Sequence, residues 1–282
     1  MVYPSMGVPS DDGIIRFTTN EAPLASIIIP TLDREESLAR CLRSLNEQTC
    51  QSFEIILVTE KGELAQLRNK GWRSSNCEIV VFIDDDTICE PTWLSSILLA
   101  FCDESVGGVT GPAIIREEEK ASRDIFKFKA VKRFYDWFFC EGKEALPGHL
   151  SVAGAWTTGA SLETCSYEGE VNFLEACNSA YRLDALKAVN GFDESYRGVG
   201  DWSEPDCSLR IRNLGYTLLF TQGAKLYHEV SQSGAYASRL RDNTRYQNYR
   251  LFAKRWVKPH WKHWCYLRFL ECYFLIKRLR WI

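Results

Sequence analysis

Several features are scarce in this 282-residue chain, and each scarcity excludes a class of protein. No apolar run approaches the about 18 residues that a membrane-spanning helix needs; Leu94–Cys102 and Phe269–Ile276 fall far short. The first twelve residues lack a charged segment followed by an apolar one, so no secretory leader is expected there. Histidine occurs four times, and the eleven cysteines form neither a Cys-x-x-Cys pair nor a Cys/His set at zinc spacing. Their odd number and wide scatter fit buried thiols in a reducing, cytoplasmic setting rather than a disulfide framework. Strong net charge is also missing. At −3 overall the chain is no nucleic-acid binder, and 45% hydrophobic with 25% charged residues excludes a disordered one. No internal repeat is found.

The charge is unevenly distributed. From Arg239 to Ile282 twelve Lys and Arg face only Asp242 and Glu271, a local +10, so residues 1–238 carry −13. Trp256, Trp261, Trp264, Tyr266, Phe269, Tyr273, Phe274 and Trp281 alternate there with Arg255, Lys258, Lys262, Arg268, Lys277, Arg278 and Arg280. Aromatics beside cations suit a helix lying in a membrane interface, where each basic residue contributes about 1 kcal/mol on an anionic surface. On this reading 257–282 docks the chain on the cytoplasmic face of a membrane. The competing reading is a helix packed on the body of the protein or on a second copy.

Residues 1–24 read as a loose lead-in. Ala25–Pro30, Phe53–Val58 and Glu78–Ile83 are short, continuously apolar runs, the pattern of strands buried on both faces. Helices are expected between them. Asp33 and Glu36 resemble a capping box ahead of Leu38, Cys41, Leu42 and Leu45, and a second helix is expected over Gly62–Arg73. Further helices are expected over Trp93–Phe101, Glu117–Cys140, Leu183–Val189, Trp202–Leu214 and Ala237–Trp256, with a last one beyond Pro259. Val106–Ile115, Tyr216–Phe220 and Ala224–Tyr227 read as strands. Strands alternating with helices imply an α/β fold with a mostly parallel sheet, whose ligands bind at the carboxyl ends of the strands. Pro30–Arg34, Thr59–Gly62 and Asp84-Asp85-Asp86 all fall at such ends.

The triple aspartate is the sharpest chemical signal. Three carboxylates at one strand end repel, and a divalent cation relieves the repulsion. Mg²⁺ and Mn²⁺ sit between such oxygens and a diphosphate, with the alternate residues Asp84 and Asp86 as the pair. A solvated acidic loop is the plain alternative. Asp201, Glu204 and Asp206 crowd a helix start, either complementing its dipole or supplying a general base. His228 taken alone reads more readily as a hydrogen-bonded core residue than as a ligand, and His149, His260 and His263 as structural or surface residues.

The ordered set Ser26–Thr31, Glu54–Val58, Phe82–Asp86 and Asn190-Gly191-Phe192-Asp193-Glu194, continued by Asp206–Arg210, Gly215-Tyr216, Ala224 and His228, resembles family 2 glycosyltransferases of the GT-A fold over residues 25–235. The resemblance implies a Rossmann-like domain over 25–236 with a helical extension over 237–282. It implies a nucleotide-diphosphate sugar donor, a divalent cation (Mn²⁺ or Mg²⁺), a glycan or lipid-linked acceptor, and inversion at the sugar carbon. Pro30, Thr31, Asp33, Glu60, Arg68, Asn69 and Asp85 would then face the donor, and Asp84, Asp86 and His228 the cation. Two departures stand out. The turn after the second strand reads Thr59-Glu60-Lys61-Gly62 instead of being rich in aspartate, and Ser203-Glu204 replaces the family's Glu-Asp pair, which puts Glu204 at the base position ahead of Asp206 and Asp201. A nucleotidyltransferase would need a Gly-rich basic loop where Pro30-Thr31-Leu32-Asp33-Arg34 stands; a non-catalytic surface-binding module is the other alternative.

Overall fold

The computed structural model describes residues 13–18, 21–115, 129–157, 159–229 and 244–279, the last six by backbone alone. Eight strands form one sheet in the order β1-β3-β2-β4-β9-β6-β10-β8, made of β1 (Ile14–Thr18), β2 (Ala25–Pro30), β3 (Phe53–Val58), β4 (Ile79–Ile83), β6 (Val106–Thr110), β8 (Gly169–Glu170), β9 (Asn178–Arg182) and β10 (Thr217–Phe220). A small second sheet joins β5 (Thr87–Cys89), β11 (Leu226–His228) and β7 (Ala113–Ile114).

The three apolar runs pair as expected, with β2 parallel to both β3 and β4. Side chains alternate between two layers. Ile27 and Ile29 point into one with Leu38, Leu42, Trp93 and Ile97, while Ile28, Ile56 and Val58 point into the other with Leu67, Trp72, Phe192 and Ile211. The first layer is covered by α1 (Glu35–Asn46) and α3 (Trp93–Ala100), the second by α2 (Leu64–Arg73), α5 (Leu183–Ala188) and α6 (Ser203–Asn213). Gly71 of α2 lies against β2; a Cβ there would stand 2.2 Å from the Ile28 side chain, so only glycine permits this approach.

The α/β architecture stands, with β2, β3, β4, β6 and β10 all running in one direction and three opposing strands making the sheet mixed. β9 runs antiparallel between β4 and β6, and β1 and β8 add antiparallel edges. Its Asn178-Ser179-Ala180-Tyr181-Arg182 lacks the continuous apolar run of the other core strands, which is why the pattern concealed it. The lead-in is not wholly loose either, since Ile14 and Ile15 belong to an edge strand beside β3. The capping box does not form. Asp33 sits at φ 54, and Arg34 is the N-cap residue without a side-chain cap. Val106–Ile115 breaks at Gly111-Pro112 into β6 and β7, and the Ala224–Tyr227 expectation is met one step later by β11. Of the helix expected over Glu117–Cys140, α4 (Lys129–Phe138) is seen and 116–128 lie outside the described residues. Residues 237–243 likewise lie outside them, ahead of α7 (Thr244–Trp256).

The last helix, α8 (Trp261–Leu279), is docked on the body through its first half. Tyr266 and Leu270 are buried with Phe139, Ala153, Trp202, Tyr249 and Phe252 in a third core. The first part of the tail therefore takes the packed arrangement named above as the competing reading, with Tyr266 and Leu270 covered by protein. Trp281 and Arg280 lie outside the described residues, and no described helix is long and apolar enough to cross a membrane. All eleven cysteines are free, six of them buried, while Cys102, Cys265 and Cys272 are exposed.

Candidate active site

β4 ends at Ile83, and the chain turns just beyond it so that the triple aspartate meets the end of β11. Pairing of β11 with β5 puts His228 opposite Thr87. The His228 Nε2 lies 3.0 Å from Asp86 Oδ1 and 3.8 Å from Asp84 Oδ2. One ligand atom from each of Asp84, Asp86 and His228 falls within 4.8 Å of the others. Two carboxylates and an imidazole make a hard, mixed oxygen and nitrogen donor set that fits a divalent cation.

The remaining charges tune this cluster. Arg34, at the start of α1, spans the aspartates, donating to Asp85 Oδ1 and, at 2.7 Å, to Asp86 Oδ2. Thr31 donates to the other oxygen of Asp85 at 2.7 Å. Burial pushes Asp85 up to about 6, against the lowering by Thr31 and Arg34. Burial acts the same way on Asp86, yet His228 and Arg34 overcome it and hold that carboxyl below its ordinary range. For His228, burial disfavours the imidazolium, but Cys177 and Asp86 outweigh it and raise the pKa well above the ordinary value. The nitrogen that carries this proton faces the two aspartates, so cation and proton compete for one lone pair.

Arg68 links the cluster to α6. It is 1% exposed, ion-pairs with Glu204 Oε1, donates to the Ala176 carbonyl at 3.1 Å and lies 3.8 Å from Asp84 Oδ1. Glu204 stands in the first turn of α6, where the helix dipole favours a carboxylate. Trp202, the N-cap of α6, is fully buried at φ 71, a left-handed conformation costly for a bulky side chain. Tilted ring contacts with Trp156 and Tyr249 and an indole bond to the Gly154 carbonyl hold it there, which fixes where α6 begins.

Other expected site residues are placed differently. Asp206 is fully buried and accepts from Arg210, Arg255 and Trp256, donors that tie α6 to α7. Asn69 is turned away from the cluster: its amide donates to the Phe192 carbonyl and Glu194, and its oxygen accepts from Trp72 and the Phe192 N–H. It clamps the Gly191-Phe192 turn. Glu60 pairs with Lys70 at 2.6 Å, Asp33 is exposed, and Asp201 is buried beside Arg245. Pro30 ends β2 next to Thr31. His149 lies 3.8 Å from Glu141, and His263 bonds the Tyr249 hydroxyl, so both take structural places.

Three residues were missed. Arg34 was read only as part of a turn. Cys177 packs against His228, and nothing in its spacing marks it. Glu175, in the loop ahead of β9, has a buried Oε1 with no hydrogen-bond partner among the described residues. Burial and the nearby Glu204 push its pKa up to about 7, against the opposing pull of His228. The loop residues around it carry no periodic or motif signal that could have singled it out.

The family described as Glycosyl transferase family 2 matches this chain over residues 26–61 and 58–188. Among curated relatives, a putative glycosyltransferase EpsH of Bacillus subtilis is 27% identical over 111 residues, 30% of this chain and 32% of its own length. The O-antigen biosynthesis protein RfbC of Myxococcus xanthus is 21% identical over 249 residues, 78% of this chain and 18% of its own length. The chain thus spans a third or less of these relatives. Among solved structures, the mannosyltransferase PcManGT of Pyrobaculum calidifontis, in complex with GDP-Man and Mn²⁺, superposes with a TM-score of 0.53 at 18% identity, covering 91% of this chain and 71% of that one. TarS residues 1–349 of S. aureus give 0.52 at 14% identity, covering 91% and 72%. A core matched along more than half its length, and an architecture shared with these structures, place the chain in glycosyltransferase family 2.

Proposed function

We propose that this protein transfers a sugar from a nucleotide-diphosphate donor to a glycan or lipid-linked acceptor, with inversion. The observation that carries this reading is the convergence of Asp84, Asp86 and His228, with ligand atoms within 4.8 Å, on a sheet end that Arg68 ties to Glu204. Asp84, Asp86 and His228 would hold a divalent cation, which when bound neutralises charge on the departing diphosphate. The Mn²⁺ and GDP-Man in the neighbouring mannosyltransferase support that assignment. Thr31 and Arg34 fix Asp85 and Asp86 at the donor side. Glu204 is the base: it takes the acceptor proton as the new oxygen–carbon bond forms and the bond from the sugar carbon to the diphosphate oxygen breaks, on the opposite face. Because Arg68 grips only Oε1, Oε2 is left to accept that proton. Fixed placement of the two substrates supplies much of the remaining rate.

The test is a thermal-shift panel of UDP, GDP, dTDP and CDP, each with Mn²⁺ or EDTA, followed by transfer assays with the stabilising nucleotide's sugars. A nucleotide at a hundred times its Kd adds about 2.7 kcal/mol of stability. Wild type should show a metal-dependent shift with one base. Asp86→Ala should lose it, and Glu204→Gln should keep it while transfer falls by about 10² to 10⁴. A shift insensitive to EDTA and to Asp86→Ala would refute the metal assignment, and no shift with any nucleotide would favour a non-catalytic module.

A further inference from the structure

Away from the site, α4 and α8 meet in an aromatic patch that the described residues leave uncovered. Trp137 is 67% exposed, Trp264 60%, Trp261 58% and Phe134 49%. The rings of Phe134, Trp137, Phe138 and Trp261 form one surface, not scattered singles. Phe134 lies 6.2 Å from Trp137 and 5.1 Å from Phe138, and Phe138 lies 5.5 Å from Trp261. Clustered exposed aromatics of this kind mark an interaction site, whereas isolated ones do not.

The surroundings of the patch identify the partner. Lys129, Lys132 and Arg133 are exposed on α4, Lys258 precedes α8, and the Lys262 ammonium stands 5.5 Å over the Phe138 ring. The acids on these elements are matched locally, Asp136 with Lys132 and Glu271 with Arg268. The patch is therefore apolar at its centre and cationic at its edge. A second copy of the chain would bring these cations against their own equivalents. An anionic bilayer complements both parts: indole rings settle at headgroup depth and the cations meet lipid phosphates.

The mount is rigid. Beneath the patch, Phe139, Tyr266 and Leu270 are buried, and Tyr135 bonds the Tyr266 hydroxyl at 3.0 Å. Ring contacts continue from Phe139 to Tyr266 at 5.0 Å, to Tyr249 at 4.8 Å and to Trp202 at 5.2 Å, two residues before Glu204.

We propose that the joint surface of α4 and the start of α8, centred on Trp137, Phe134 and Trp261, docks on an anionic lipid bilayer. It differs from a tail-borne anchor because α4 supplies half of the contact and the tail is held to the body. The docking does not depend on the transferase reading. If that reading holds, the shared aromatic core fixes the orientation of α6 toward the lipid surface, as a lipid-linked acceptor requires.

The test is co-sedimentation of the full chain with phosphatidylcholine vesicles with and without phosphatidylglycerol. Wild type should bind the anionic vesicles and release them at high salt. Trp137→Glu/Trp261→Glu should weaken binding by about tenfold or more, since two wedge residues become anionic. Arg133→Glu/Lys262→Glu should lower binding to the anionic vesicles alone and serves as the second probe should the tryptophan variant misfold. Leu99→Glu, at a 73% exposed position on α3, should bind as wild type does. Failure of wild type to bind anionic vesicles, or binding by both patch variants at the wild-type level, would overturn the proposal. So would a wild-type dimer in size-exclusion chromatography that the tryptophan variant dissolves without any loss of vesicle binding.

Discussion

Arg68 offers the most exacting test of how the site is held together. It is a buried guanidinium serving Glu204, the Ala176 carbonyl and Asp84 at once, with its plane 5.6 Å from the Phe192 ring. Arg68→Met keeps most of the stem and removes the cation. Glu204 would then be a buried carboxylate without a counter-charge, close to Glu175, whose Oε1 is buried. Breaking such a pair from one side costs about 3–5 kcal/mol. For a chain of this size a kcal/mol corresponds to about 2–4 °C, so Tm should fall by about 10 °C. Replacing both charges is a different perturbation, because no ion is left stranded. Arg68→Met/Glu204→Gln should recover more than half of that loss, a coupling of about 2 kcal/mol or more in the double-mutant cycle. Both proteins should be inactive in transfer, so stability and catalysis separate cleanly. The assay is urea unfolding at pH 7.5 in EDTA, with thermal melts as a second measure. An Arg68→Met cost below about 1 kcal/mol, or a double variant less stable than either single one, would show that the pair is not the electrostatic tie described.

Glu175 makes a pH prediction. Its pKa rises from 4.5 to about 7 on folding, so the folded chain binds the extra proton between those values. Stability from this group is present at low pH, declines as pH rises from about 4.5 to 7, and is fully lost above the folded pKa. Glu175→Gln should therefore leave stability unchanged near pH 4 and raise it at pH 8 in EDTA by at most about 3 kcal/mol; equal effects at both pH values would refute this. Asn178 joins three segments through Trp93 Nε1 at 2.9 Å and the carbonyls of Pro112 and Ala224 at 3.2 and 2.7 Å. Asn178→Ala should cost about 3 kcal/mol in urea unfolding, since buried polar groups lose their partners, and a cost under about 1 kcal/mol would count against that network.

Much of the architecture could be read from local chemistry. Continuous runs such as Ile27-Ile28-Ile29 and Ile79–Ile83 have few alternatives to a strand covered on both faces, and Asp84-Asp85-Asp86 directly follows one of them. A strand end at which charge accumulates is a local property, written in consecutive residues. The GT-A resemblance supplied the order in which these pieces occur.

What consecutive residues do not carry is the partner of each side chain. Asp206 and Glu204 are two positions apart on one helix, yet Arg255 and Trp256, about fifty residues further on, engage the first while Arg68 grips the second. Asn69 and Arg68 are neighbours that point to different places, one to the Phe192 turn and the other to the aspartates. β9 was hidden because its neighbours β4 and β6, not its own composition, make it a central strand. Glu175 acquires its raised pKa from burial beside Glu204, and Tyr266 of the tail packs against Tyr249 and Phe139. Backbone preference and burial pattern act over a few residues and are settled by the sequence. Charge pairing and packing act through space between segments far apart in the chain, so they were decided only when the sheet closed and brought those segments together.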